Sequence, residues 1–256
     1  MYSNHNTRGF RKKRATRKAL GIINKKKTLS LLFFNTNGLT QSSLADIKAA
    51  LDRRKVDIAV IVETHHRLEQ TFNECSIGEY KHFEARRSDV AEDKQGGGIL
   101  IYCKTSQGLM FKKYSPSIDD DNLVFVNNER LWILCDSVGF KTAVCGIYMG
   151  CQFPDNRNED WNNSIYRVIT KEQADLRRKG YRIIIMGDMN GHVGNIPGSG
   201  IFGNKPDVNN NGRKLLQFAK DAEMQMVNNL CLEIGRCGQH LCKPICSGTW
   251  TRQISN

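Results

Sequence analysis

Apolar residues along the chain fall into short blocks that switch between two periods. Leu29–Asn35 (LSLLFFN) is a nearly continuous apolar run, as a strand buried on both faces requires. In Ser42–Arg54, Leu44, Ile47 and Leu51 recur at helical spacing, and Ser43 with Asp46 resembles a capping box at the helix start. Asp57–Glu63 (DIAVIVE) predicts a second buried strand. Gly96–Gly98 predicts a turn that leads into a strand at Ile99–Cys103. Leu131–Asp136 and Thr142–Tyr148 predict two more strands, with a turn around Gly139 between them.

A long amphipathic helix is expected over Asp160–Lys179, with Trp161, Ile165, Val168, Ile169 and Leu176 as its core-facing stripe. Gly180 ends it. Tyr181–Asp188 is the strongest strand signal in the chain and is expected to be central and buried. Asn195–Asn211, rich in Gly, Asn and Pro, reads as a loop. Leu215–Ala222 reads as a short helix, and TWTRQ from Thr249 as strand-like. Strands alternate with helices, but hairpin-like strand pairs occupy the middle. That pattern fits a layered α/β protein with mixed sheets better than a purely parallel one. A length of 256 residues suits one such domain or two small ones.

Charge changes the picture at one end only. The chain carries 38 basic and 26 acidic residues, for a net +12. Ten of the basic residues and none of the acidic ones lie in residues 1–27, so the remainder has a net charge of only +2. Arg11, Lys12, Lys13, Arg14, Lys25, Lys26 and Lys27 belong to this segment. It is expected to be a disordered basic tail that contacts phosphates without reading sequence. No apolar stretch follows it, so no secretion signal is read, and no apolar run approaches a membrane span. Among the nine cysteines, Cys103, Cys135 and Cys145 sit inside apolar segments as small hydrophobes, which favours a reducing, intracellular setting in nucleus or cytoplasm. Cys237, His240, Cys242 and Cys246 could supply four zinc ligands, but lack a paired CxxC knuckle and read as a cysteine-rich loop.

The candidate chemistry lies where the apolar strands end. They run into Asn35-Thr36-Asn37-Gly38, Glu63-Thr64-His65, Tyr148 and Asp188-Met189-Asn190. Polar side chains at the carboxyl ends of buried strands are a common way to build an α/β active site. Glu63 can bind a hard cation through oxygen. Asp188 can orient or deprotonate a water. Asn35, Asn37 and Asn190 can hold oxygens without adding charge, and Tyr148 can donate to a phosphoryl oxygen. No serine or cysteine with an evident basic partner accompanies them, so the set suits metal-assisted attack of water on a phosphate ester.

NTNGL (35–39), DIAVIVETH (57–65), GGGILIY (96–102), VCGIY (144–148), GDMNGHVG (187–194) and GTWTR (248–252) resemble, in order and spacing, the endonuclease/exonuclease/phosphatase superfamily. Within it they are most similar to the apurinic-type endonuclease domain of non-LTR (LINE-like) retrotransposon proteins. The resemblance implies a four-layer α/β sandwich of two mixed sheets, DNase I-like, spanning residues 28–256. It implies hydrolysis of a DNA phosphodiester with Mg²⁺, or Mn²⁺ in its place. Glu63 would be the principal metal ligand, with Asn35 and Asn37 beside it. Asp188 would position or activate water, Asn190 would hold it and a phosphate oxygen, and Tyr148 would support the scissile phosphate. Trp250 matches a late tryptophan of the family. The expected partners are DNA and, in a longer protein, a downstream reverse transcriptase domain; the domain itself is expected to be monomeric and not membrane-bound.

Two departures accompany the resemblance. Met149-Gly150-Cys151 stands where many members carry a proline and an asparagine after the tyrosine. The family pattern also continues past TWxR to a further aspartate and a Ser-Asp-His group, whereas this sequence closes at Asn256. By the resemblance the C-terminal strands are missing, and the chain as given is expected to have little or no nuclease activity. His192 and His240 do not replace the absent histidine by motif position, and His192 reads as a loop residue. The competing expectations are another phosphoesterase of this fold (inositol phosphatase, sphingomyelinase or deadenylase) and a non-catalytic nucleic-acid-binding remnant.

Overall fold

The computed structural model describes residues 29–66, 75–86, 97–105, 109–115, 129–137, 140–150, 159–196, 201–202 and 207–226. The basic segment, Gly96, Gly139, the Cys237–Cys246 cluster and the TWTR segment with Trp250 lie outside the described residues.

Among the described residues, two four-stranded sheets are formed. In the first, β1 (Leu31–Asn35), β2 (Ile58–Val62), β3 (Tyr80–Ala85) and β4 (Ile99–Lys104) take the order β1-β2-β4-β3. In the second, β5 (Met110–Tyr114), β6 (Arg130–Ser137), β7 (Phe140–Tyr148) and β8 (Arg182–Asp188) take the order β5-β6-β7-β8. β1 pairs with β2 in parallel, and β7 with β8 in parallel; every other pairing within the two sheets is antiparallel. Both sheets are therefore mixed. Each parallel pair is joined through a helix, α1 (Gln41–Arg54) for β1–β2 and α2 (Glu159–Arg178) for β7–β8. A parallel pair needs such a crossover, because a tight hairpin reverses direction.

The strand alternation sorts side chains into layers. Ile58, Val60 and Val62 of β2 point to the same interior as Ile99 and Ile101 of β4 and Leu131, Ile133 and Val144 of the second sheet. Ala59, Ile61, Leu100 and Tyr102 face the other way, onto Ile47 and Leu51 of α1. Trp132, Ala143, Cys145 and Ile147 pack against Ile165, Val168, Ile169 and Leu176 of α2, with Leu215 and Phe218 of α3 (Asn210–Asp221) beside them. Helix, sheet, sheet and helices make four layers, the expected α/β sandwich. Cys103, Cys135 and Cys145 are buried in these cores, as their apolar surroundings predict. No described helix is long and apolar enough to cross a membrane.

Several elements differ from the pattern-based expectation. Helix α1 is capped by Thr40, whose hydroxyl accepts from Ser43 N at 3.1 Å while Ser43 Oγ accepts from Thr40 N at 2.8 Å, so the box is Thr40–Ser43 rather than Ser43–Asp46. Strands β3 and β5 carry alternating and basic residues (YKHFEA, MFKKY) with no apolar block, and so escaped the pattern. The Asn195–Asn211 region is not all loop. It holds a short antiparallel pair, β9 (Asn195–Ile196) with β10 (Ile201–Phe202), and α3 begins at Asn210, five residues before the expected helix. Among the described strands β8 is outermost, not central, and Ile183–Asp188 are half-buried.

Candidate active site

The four strands of the two parallel pairs deliver their carboxyl ends to one edge of the sandwich. In β1–β2, Asn35 stands opposite Val62, the residue before Glu63. In β7–β8, Tyr148 stands opposite Asp188. The pairs meet across the sheets through the Asn35 amide. Its Nδ2 donates to Glu63 Oε1 at 3.0 Å and to Asp188 Oδ2 at 2.8 Å. Its Oδ1 accepts from Asn37 N at 3.0 Å. The reverse orientation of this amide would set an oxygen against two carboxylates, so the bonds fix which end faces them. A neutral donor thus bridges two acidic groups from strands 153 residues apart in the case of Asp188.

Asp188 is further fixed by Asn190 N, which donates to Oδ1 at 2.9 Å. The Asn190 side chain turns back and donates from Nδ2 to Met149 O at 2.6 Å. Met149 N in turn donates to Asp188 O at 2.8 Å, which extends the β7–β8 ladder past Tyr148. Tyr148 N donates to Glu129 O at 3.0 Å, and the Tyr148 side chain, half-buried, packs on the core between the sheets. Gly187 is required where β8 enters the site: a Cβ there would overlap the Ile147 carbonyl. Asn37 lies at the exposed rim, and only its backbone amide is engaged with the cluster.

Strain is concentrated here. Among described non-glycine residues, φ is positive at Asn37, Lys55, Glu63, His65, Asn190 and Glu223. Four of the six belong to this edge. Asparagine and histidine tolerate the left-handed conformation better than most residues and glutamate does not; such backbone costs on the order of 1–3 kcal/mol and persists where surrounding contacts impose it. Those contacts are visible: Thr64 N and His65 N donate to Gly98 O and Gly97 O at 3.3 and 3.0 Å, while Gly38 N donates to Glu63 O at 2.7 Å.

His65 is part of the strand-end motif Glu63-Thr64-His65, but the sequence assigns it no role. Its Nε2 lies 3.8 Å from Glu63 Oε2, and it is a third exposed. Asn209 and Asn211 were read as loop residues; both instead reach the Asn190 carbonyl. The cue was present in three consecutive asparagines before a glycine, a strong helix-capping composition.

No cluster of three His, Cys, Asp or Glu side chains poised around a metal occurs among the described residues. The donors at hand are oxygens of two carboxylates, Glu63 and Asp188, joined by Asn35. They are hard ligands and few in number. That suits a cation such as Mg²⁺, which keeps several waters and takes one or two protein carboxylates plus substrate phosphate.

The fold has solved counterparts. It superposes with a TM-score of 0.57 on the AP endonuclease LMAP from Leishmania major, at 14% identity over 77% of this chain and 67% of that one. The catalytic domain of Xenopus laevis APE2 gives 0.53 at 16% identity, over 74% of this chain and 67% of that one. The endonuclease domain of TRAS1, a telomere-specific non-LTR retrotransposon, gives 0.48 at 16% identity, over 76% of this chain and 72% of that one. A comparison with curated protein sequences returns no match. A family model covers residues 32–210, from β1 through the GDMN strand to the start of α3, and its members are metal-dependent nucleases and phosphatases. With the two-sheet sandwich and the converging strand ends, that match places this chain in the endonuclease/exonuclease/phosphatase family.

Proposed function

We propose that the chain is a DNA endonuclease domain of retroelement type that hydrolyses phosphodiester bonds with Mg²⁺, Mn²⁺ serving as a substitute. The observation that carries the reading is the Asn35 bridge, which unites Glu63 and Asp188 from two separate strand–helix–strand units. In this reading Glu63 holds the cation with Asn35 beside it, and Asn37 supports them from the rim. When bound, the cation supplies charge stabilisation to the phosphate oxygens. Asp188, its plane fixed by two donors, orients the attacking water and accepts its proton. Asn190 and Tyr148 hold the phosphate in line. Residues 1–27 add phosphate contacts without sequence preference. DNA is the substrate, the domain acts as a monomer, and a reverse transcriptase domain is its partner in a longer protein.

The test is nicking of supercoiled plasmid in Mg²⁺, Mn²⁺ and EDTA, beside poly(A) and phosphoinositide. The reading predicts slow, metal-dependent nicking that Glu63→Ala and Asp188→Asn each reduce by roughly 100-fold or more. Preference for poly(A) or phosphoinositide would overturn it, as would nicking that survives Glu63→Ala. Steeply salt-dependent DNA binding with no cleavage would select a non-catalytic binding role instead.

A further inference from the structure

The loops that follow β7 and β8 carry carbonyl groups beyond the sheet ladder. Three asparagines at the starts of two helices take them up. Asn162, in the first turn of α2, donates from Nδ2 to Gly150 O at 3.1 Å and to Asn211 Oδ1 at 3.2 Å. Asn211, in the first turn of α3, donates from Nδ2 to Gly150 O and to Asn190 O, both at 3.3 Å. Asn209, the N-cap of α3, donates from Nδ2 to Asn190 O at 3.0 Å, while its Oδ1 accepts from His192 N at 2.9 Å and Gly212 N at 2.7 Å. Asn209 N donates to His192 O at 3.1 Å.

We infer that Asn162, Asn209 and Asn211 form an amide clamp that holds the Tyr148–Gly150 loop and the Asp188–His192 loop in fixed register, and that they are positioning residues for Asp188 and Asn190. The inference rests on the proposed endonuclease reading for its catalytic consequence, but not for its geometry.

Burial gives weight to the bonds donated by these amides, although Asn162 Oδ1 is itself buried without a partner among the described residues. Asn162 and Asn211 are 1% and 3% exposed. Asparagine is a poor helix former, and a buried amide costs free energy unless it is bonded. Asn211 is the junction, because among the described residues it alone bonds carbonyls of both loops. The clamp is also tight. A Cβ at Gly212 would overlap the His192 carbonyl, so the helix start is seated directly on the loop backbone. Finally, the clamp is neutral. It braces two loops beside Glu63 and Asp188 without a further negative charge where phosphate must approach.

Aspartate at these positions separates the functions. Asn211→Asp is isosteric but turns the donor toward two carbonyl oxygens into an acceptor. Asn209→Asp keeps the helix cap and the bond from His192 N, since aspartate caps as well as asparagine, and loses only the donation to Asn190 O. The test is amide hydrogen exchange on the full chain, read segment by segment, with steady-state cleavage alongside. Asn211→Asp should speed exchange at 149–150 and 189–194 by about tenfold or more, leaving 58–62 and 142–147 unchanged. Asn209→Asp should do so at 189–194 alone. Cleavage should lose kcat by roughly 10- to 100-fold at constant KM. Unchanged exchange in the loops overturns the clamp, as does equal acceleration in loops and sheets. Loosened loops with wild-type kcat overturn the positioning role. If the unaltered chain cleaves nothing, the endonuclease reading fails, and the exchange pattern still decides the clamp.

Discussion

Replacing Glu172 tests how β6 is tied to α2 beneath the site. Arg130, the first residue of β6, is 5% exposed, and Glu172 is 3% exposed. Arg130 Nε donates to Glu172 Oε1 and Oε2 at 2.9 and 2.7 Å, and its Nη2 donates to Oε1 at 2.5 Å. Trp132 Nε1 donates to Oε2 at 2.8 Å. Glu172→Ala strips a buried guanidinium of its two-pronged carboxylate and orphans the indole N–H. Breaking a buried pair from one side costs about 3–5 kcal/mol. For a domain of this size each kcal/mol moves the melting point by ~2–4 °C, so a fall of roughly 6–20 °C is expected. Desolvation of both charges offsets most of their attraction, so removing both should be milder. Arg130→Met with Glu172→Leu should recover most of the loss, with a coupling energy of at least ~1 kcal/mol in a double-mutant cycle. Urea unfolding of the wild type, Glu172→Ala, the singles Arg130→Met and Glu172→Leu, and the double variant provides the measurement. A loss below ~1 kcal/mol for Glu172→Ala, or a double variant as unstable as the sum of the singles, would refute the reasoning.

Three further outcomes follow from other parts of the fold. Gly187→Ala forces a methyl against the Ile147 carbonyl, so it should cost about 1–3 kcal/mol in urea unfolding and lower cleavage by displacing Asp188; an unchanged midpoint would show that the strand relaxes freely. Burial raises the Glu84 pKa, but hydrogen bonds from His66 at 3.0 Å and Arg86 at 2.9 Å lower it further, and the net shift is downward from 4.5. A depressed folded-state pKa means that Glu84 stabilises the fold above pH 4.5 and loses this contribution as pH falls through the folded value. Glu84→Gln should therefore flatten the acid limb of stability against pH. Burial also pushes the Cys103 and Cys145 thiols well up, so mass-resolved alkylation near ~pH 8 should label them only after unfolding.

Much of the sandwich could be read from the sequence because its central strands are apolar on both faces. IAVIV and ILIYC announce themselves, since one set of alternate residues fills the space between the sheets and the other meets a helix. Strands β3 and β5 lie at sheet edges and were invisible for the converse reason. Their burial is mixed, with Lys81 exposed on β3 and Met110, Lys112 and Lys113 exposed on β5, and edge lysines discourage edge-to-edge pairing. The start of α3 was missed because asparagine and glycine signal loops when counted, yet at a helix start they serve as caps. Legibility of the site was uneven in the same way. Asn35, Glu63, Tyr148, Asp188 and Asn190 could be picked out at strand ends, but no spacing rule pairs Asn35 with Asp188.

What brings them together is the direction of two pairings. In an antiparallel pair, consecutive strands finish at opposite edges; in a parallel pair, both finish at the same one. Among the described residues, β1–α1–β2 and β7–α2–β8 are the two parallel units, and Asn35, Glu63, Tyr148 and Asp188 stand at their four carboxyl ends. Contacts of β1 and β2 with β8 lay one unit on the other, so the ends converge at one edge. The antiparallel strands β4 and β6 begin at that edge instead. They offer backbone there, through the Gly97, Gly98 and Glu129 carbonyls, which hold His65, Thr64 and Tyr148 from behind. Antiparallel strands thus supply rigidity, and parallel strands the side chains. The strained backbone at Glu63, His65 and Asn190 falls at this junction because each of those chains must leave a parallel strand and turn at once toward the other unit. Reversing the direction of a single pairing would remove one carboxylate or amide to the far edge, and the Asn35 bridge could not form.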